Sequence, residues 1–214
     1  MKIKMPKPFI GIVLSISFVC GGCSMLNQNL AIQQVPVVTQ QKPKTAWQKA
    51  KDALQANDTK GAEKYASQML RENTNRKAWY YGNVVHEGNQ ILGLAALQEG
   101  HVADAKMYLL AAGKTPGSPQ IDSFGPNMML AQQLLDRGEK ATVIQYLDLV
   151  AKFWAYTSPQ DLKKYEKKKP GSSALFKSLN NGHRKQIADW KKQIRAGKKP
   201  KLINQCCGLV SGQS

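Results

Sequence analysis

Small and apolar residues recur through the middle of the chain at helical spacing, and the recurrence itself repeats. Leu92, Gly93 and Ala96 lead to Gly100, then to Ala105, Leu109 and Ala112. At a constant offset of 38 (92 to 130, 100 to 138, 112 to 150), Leu130, Ala131 and Leu134 lead to Gly138, then to Val143, Leu147 and Val150. Positions three and four apart share a helix face, so each copy predicts two neighbouring helices divided by a turn. Gly100 and Gly138 suit the left-handed residue that closes a helix. Gly93, Ala96 and Ala105 let helix axes come close. A fixed offset at so many positions is the mark of stacked helical hairpins, and the fold class it predicts is all-α.

The pattern extends backwards. Thr45 is placed to cap a helix carrying Trp47, Ala50, Ala53 and Leu54, and Asp58 or Thr59 to cap the next, with Ala62, Ala66, Met69 and Leu70. This hairpin is offset from the following unit by 43 (Ala62 to Ala105) rather than 38, as befits an end unit with one face in water. The array is therefore expected over 45–159, with first helices starting near Thr45, Gly82 and Asn127. Trp79, Tyr80 and Tyr81 are expected to pack between hairpins. The segment from Gly113 to Asn127 reads as the longest loop, capping two helices and wedging Phe124 between them.

The order Leu-Gly-x-x-small, then Ala-x-x-x-Leu-x-x-Ala, resembles the tetratricopeptide repeat, in which a proline ends the unit; Pro116 and Pro119 lie near that place. The repeat here is longer than the family's usual 34 residues, and Ala96 or Leu134 replaces the first-helix aromatic. The resemblance implies about three hairpins stacked with a concave groove lined by the first helix of each pair. On that basis Asn83, Glu87, Gln90, Gln132 and Gln133 are the candidate contacts for a protein or peptide partner. A second likeness runs from about Trp79 to Leu202. The runs His86-x-Gly88-Asn89, Gly117-Ser118-Pro119, Ser123-Phe124-Gly125-Pro126-Asn127 and Phe153-Trp154, with Trp190 and Gly197-Lys198-Lys199-Pro200, are similar to a group of bacterial helical-repeat proteins, many without an assigned activity.

Charge changes the picture after Trp154. Residues 160–201 hold fourteen Lys and Arg against Asp161, Glu166 and Asp189, a balance of +11, whereas residues 45–159 hold twelve basic and eleven acidic side chains, a balance of +1. The chain's net +17 is thus concentrated in its C-terminal region, 160–214. Two helices are expected there, over Ala174–Leu179 and Gly182–Arg195, with Ile187, Trp190 and Ile194 docking on the last hairpin. Lys163, Lys164, Lys167, Lys168 and Lys169 form a candidate basic patch; the competing reading is a merely solvated face.

The N-terminus reads as an address. Lys2, Lys4 and Lys7 precede a short apolar run from Phe9 to Val19, too short to span a bilayer but fitting a signal peptide over residues 1–22. Gly21-Gly22-Cys23-Ser24 resembles a bacterial lipobox, which implies cleavage before Cys23, lipidation of Cys23 and, because Ser24 is not Asp, sorting to the outer membrane. An unlipidated secretory signal is the alternative. Residues 23–44, rich in Gln, Asn and Val, then read as a flexible tether.

Little in the chain points to catalysis. Gly113-Lys114-Thr115 mimics the end of a phosphate-binding loop, but Tyr108 stands where the motif's leading Gly is needed and no strand precedes it. His86, His101 and His183 have no Cys, Asp or Glu around them at metal-ligand spacing. His86 is expected to be hydrogen-bonded inside the array, and Asp104 to cap the helix after His101. Neither metal nor cofactor is expected. Cys206 and Cys207 could form a vicinal disulfide, pair with another chain or stay reduced. The leading expectation is a non-enzymatic, membrane-anchored adaptor holding a protein partner in the cell envelope. The runner-up is an electrostatic binder of acidic ligands, anionic lipid or glycan, through the basic region. Nucleic acid is disfavoured by the scarcity of aromatics among the lysines and by the exported address.

Overall fold

The computed structural model describes residues 44–203. Among the described residues every regular element is a helix: α1 (Ala46–Gln55), α2 (Thr59–Glu72), α3 (Tyr81–Gln98), α4 (Val102–Gly113), α5 (Pro119–Phe124), α6 (Met129–Asp136), α7 (Lys140–Val150), α8 (Pro159–Lys168) and α9 (Ser172–Arg195). The expected signal peptide, the expected lipidation site at Cys23, most of the expected tether and the Cys206–Cys207 pair lie outside the described residues.

Local chemistry sets the helix ends. Thr45 and Gln48 form a reciprocal capping box at α1, and the Asp58 carboxylate accepts the Gly61 N–H at α2, both where the sequence places caps. Gly100 and Gly138 have φ of +84° and +91°, a left-handed turn that an L side chain resists. Asp104 differs from expectation: it sits within the first turn of α4, with no capping bond, where its charge favours the helix N-terminus electrostatically.

Consecutive helices pair as antiparallel hairpins: α1 with α2, α3 with α4, α6 with α7. Neighbouring hairpins join through α2 on α3 and through α4 on α6 and α7. Leu94, Leu97, Ala105, Leu109, Leu130, Leu134, Val143, Leu147 and Val150 form one buried cluster, and Ala50, Ala62, Ala66, Ile91, Leu92 and Ala95 a second. Ala105 is wholly buried. Ala105→Trp is expected to cost about 1–3 kcal/mol or more through overpacking, read as a Tm lower by roughly 5 °C; a variant melting like wild type would contradict this packing.

The C-terminal region divides. The later part of α9 packs on α7, and Ile187, Trp190, Ile194 and Leu202 join the larger core, as the stripe predicts. Two helices expected over 174–179 and 182–195 are in fact one. A Cβ on Gly182 would meet nothing within 4 Å, so it lies on an open face and does not interrupt the helix. Residues 159–168 form an additional helix, α8, with Ser158 as cap and Pro159 at its first turn.

Three further expectations are corrected. Trp79 and Tyr80, expected between hairpins, are 68% and 40% exposed and meet edge to face at 5.7 Å. Phe124, expected as a wedge, is 54% exposed; Ile121 is the side chain of α5 that enters the core. The presumed loop 113–127 contains α5, capped by Ser118, whose hydroxyl accepts the Ile121 N–H.

Candidate functional site

Two polar constellations stand out, one buried and one exposed. The buried one fastens the 115–127 segment to α3. The His86 ring is fully buried. The Asn127 N–H donates to its Nε2 at 3.1 Å, so the proton must sit on Nδ1, which donates to the Ala112 carbonyl at 3.3 Å. Burial holds this imidazole below its usual pKa, against the opposing pull of the Glu87 charge and the Ala112 carbonyl. Four residues along α3, Gln90 Nε2 donates to the Tyr146 hydroxyl at 3.4 Å, and that hydroxyl donates to the Asn127 carbonyl at 3.2 Å. Burial raises the Tyr146 pKa, and the Glu87 charge adds to the effect. At the start of α3, Thr115 Oγ1 donates to the Gly82 carbonyl at 2.8 Å. The Ser118 hydroxyl donates to Asn83 Oδ1, whose amide nitrogen donates to Gln120 Oε1 at 2.7 Å.

This clamp answers where the expected groove residues point. Gln90 is fully buried and cannot meet a partner, because Tyr146, 56 residues downstream, supplies its contact. Asn83 is committed to Ser118 and Gln120. Gln132 donates to Asp136 at 3.0 Å and accepts the Leu202 N–H at 2.8 Å, tying the C-terminal segment to α6. Glu87 is half-buried, and Gln133 alone of the five is exposed. The expectation is corrected at Gln90, which lies inside the array and not on a groove face. His86 is inside the array, as its sequence context predicts.

The exposed constellation is the hairpin of α8 and the start of α9. Helix α8 packs on α9 and on no other helix. Tyr165 and Phe176 stack at 4.7 Å between the two helices. Glu166 accepts the N–H groups of Gly171 and Ser173, each at 2.8 Å, so it caps α9, and these bonds hold its carboxylate below the usual range, helped by the Lys177 charge. On the outside stand Lys163, Lys164, Lys167, Lys168 and Lys169, all exposed. None of the five is in an ion pair with another described residue. All five lysines of the sequence-predicted basic patch are thus on the surface of α8 or at its C-terminal end. An open groove of about 580 Å³ runs along it, floored by Pro159 and Leu162 and rimmed by Lys163, Lys167 and Lys177.

Comparison with protein-family models, with curated proteins and with solved structures finds no match to this chain. The chemistry of the site must therefore be argued from its own residues. Among the described residues no three His, Cys, Asp or Glu side chains gather in a group able to hold a metal ion, and no helix is long and apolar enough to cross a membrane. The residues the sequence reading passed over are Leu175 and Leu179, 58% and 46% exposed on one face of α9. Both fall inside the helix expected over 174–179, a segment too short to show whether the pair faces the core or solvent. His183, which has no metal-ligand neighbours in sequence, has a packing role: Nδ1–H donates to the Trp154 carbonyl at 2.8 Å and the ring stacks on the Trp154 indole at 4.4 Å. With Arg184 donating to the Ala155 carbonyl at 3.1 Å, it fixes the level at which α9 meets the end of the last hairpin.

Proposed function

We propose that the chain is an envelope-anchored, non-enzymatic binding protein, built on hairpins of the tetratricopeptide kind, that engages an acidic partner through the α8–α9 hairpin. The observation that carries this reading is the set of five exposed lysines on and just after α8, a helix that packs on α9 alone, with no ion pair to them among the described residues. A merely solvated face is the competing account. Against it stands the concentration of charge: the hairpin at 158–182 has six lysines against Asp161 and Glu166, a balance of +4, while Glu166 is spent on the α9 cap.

Recognition in a polar groove loses support, because Asn83, Gln90 and Gln132 are engaged within the protein. The two modes separate by variant and co-purification from the native envelope. Reversing Lys163, Lys164, Lys167 and Lys168 to Glu is expected to abolish what co-purifies, while replacing Glu87 and Gln133 with Ala leaves it intact. The reverse pattern would restore the groove, and retention by both variants would contradict both modes. The address is tested separately: Cys23→Ser is expected to leave the signal uncleaved by lipoprotein processing, so that the chain keeps residues 1–22, carries no lipid and is heavier than the processed wild type. An unchanged mass and unchanged processing would refute lipidation at Cys23.

A further inference from the structure

We infer that the acidic partner is an anionic phospholipid surface, on which the molecule stands end-on with α8 and the first third of α9 against the headgroups. This rests on the preceding reading that the basic hairpin is the binding surface, and names its ligand.

The levels of the helices give the orientation. Helix α9 runs antiparallel to α7: His183 meets Trp154, while Lys191 pairs with Asp148, a turn or two further back along α7. Asn180 donates to Thr157 at 3.0 Å, so residues 172–179 continue about 12 Å past that level at 1.5 Å per residue. The hairpin therefore projects from the end of the array where α7 finishes. The same end gathers the start of α3 and the 115–118 turn. The Gly82 Cβ position abuts the Gly117 carbonyl, and that of Gly117 lies 3.2 Å from Phe153 Cβ.

What that end exposes fits a bilayer better than a soluble polyanion. Leu175 and Leu179 lie one helical turn apart, both exposed, on a hairpin otherwise edged with lysine. Beside α3 are Trp79 and Tyr80, and just past Trp154 is Tyr156, 53% exposed. Amphipathic aromatics favour the headgroup level, and lysines reach back to lipid phosphates while leucines enter the acyl boundary. A soluble polyanion would use the lysines and leave these five apolar groups in water. The opposite end, with Asp58, Glu99, Asp136 and Glu139 beside Arg137 and Lys140, is of mixed charge and carries none of the exposed aromatics. Helices α1 and α3 finish together, Gln98 Nε2 donating to the Leu54 carbonyl at 3.5 Å. Residue 45 therefore enters α1 from the side of the basic hairpin.

The test uses the chain from residue 23 onward carrying Cys23→Ser, so that attachment acts through the folded part. It is mixed with vesicles of phosphatidylcholine alone or with phosphatidylglycerol added, the latter also with brominated acyl chains that quench nearby tryptophan. Expected at low salt is co-sedimentation with the anionic vesicles only. A lysine near an anionic surface strengthens binding about fivefold, so Lys163→Gln, Lys164→Gln, Lys167→Gln and Lys168→Gln together should weaken it on the order of a hundredfold or more. Leu175→Gln with Leu179→Gln, both exposed and neutral to the fold by circular dichroism, should weaken it severalfold. Brominated lipid should quench the wild type and lose that effect in Trp79→Phe. Lysine-dependent binding to native envelope without binding to anionic vesicles would overturn the lipid assignment and leave the acidic-partner reading standing. Binding to neither would overturn both. Vesicle binding with no quenching traceable to Trp79 would overturn the end-on orientation.

Discussion

Replacing His86 by Leu is expected to destabilise the fold by about 2–4 kcal/mol, one of the two largest single-residue effects in the array. The imidazole is the sole side chain that serves both the Ala112 carbonyl and the Asn127 N–H, and the site is fully buried. Leucine fills similar space but leaves the Asn127 N–H without its partner, at about 1–3 kcal/mol, and removes one bond from the Ala112 carbonyl, which keeps the Thr115 N–H, at about 0.5–1.5 kcal/mol. The same residue makes stability depend on pH. Its folded pKa lies below the unfolded value near 6.5, so below that pH the unfolded chain binds the extra proton. The contribution is therefore complete above about pH 6.5 and is lost as pH falls towards the depressed folded pKa, by at most about 1.4 kcal/mol per pH unit. Asp122 acts in the opposite sense: burial pushes its carboxyl up to about 6, with the Asp161 charge adding and the Ser118 N–H opposing. Asp122 as a whole is exposed, so water screens much of that effect. Thermal melts between pH 7.5 and 5.5 should thus show a falling Tm in wild type and a flatter profile in His86→Gln. Equal slopes in the two would mean that His86 is not the titrating group.

The second large effect is expected at Gly82. A Cβ there would stand 1.8 Å from the Gly117 carbonyl oxygen, which is backbone and cannot swing aside. Gly117 itself is at φ +83°, so the turn has few other conformations to adopt. Gly82→Val must push the 115–118 turn off α3, breaking the Thr115 bond to the Gly82 carbonyl and exposing Asn83 and Ser118 to each other's loss. Overpacking and the broken buried bond together are expected to cost about 2–6 kcal/mol. Denaturant unfolding measures it, and amide exchange should show residues 115–127 opening first. A midpoint within error of wild type would contradict the close approach.

These two residues also show where the sequence was legible. The hairpins were readable because stripes such as Ala105, Leu109 and Ala112 and the turns at Gly100 and Gly138 are local signals, complete within a dozen residues. The clamp was not. His86 finds its partners 26 and 41 residues downstream, and Gln90 finds Tyr146 after 56, so polarity that looked like a solvent-facing groove was satisfied internally. Helix α8 escaped notice for a different reason: its inward positions are only Leu162 and Tyr165, too few for an apolar stripe among so many lysines. The basic patch itself was visible as composition, but its projection beyond the array follows from the single long helix α9.

Central to the account is charge-driven attachment through that projecting hairpin. The most direct measurement is the fraction of the chain from residue 23 onward, carrying Cys23→Ser, that native envelope holds as ionic strength is raised, compared with the same chain in which Lys163, Lys164, Lys167 and Lys168 are replaced by Gln. A charge-driven complex weakens steeply as screening shortens to about 10 Å at 0.1 M salt and 3 Å at 1 M. The account predicts strong binding of the wild type at low salt that falls with ionic strength until it meets the weak, salt-insensitive level of the variant. Binding that is equal in the two chains and indifferent to salt would contradict it.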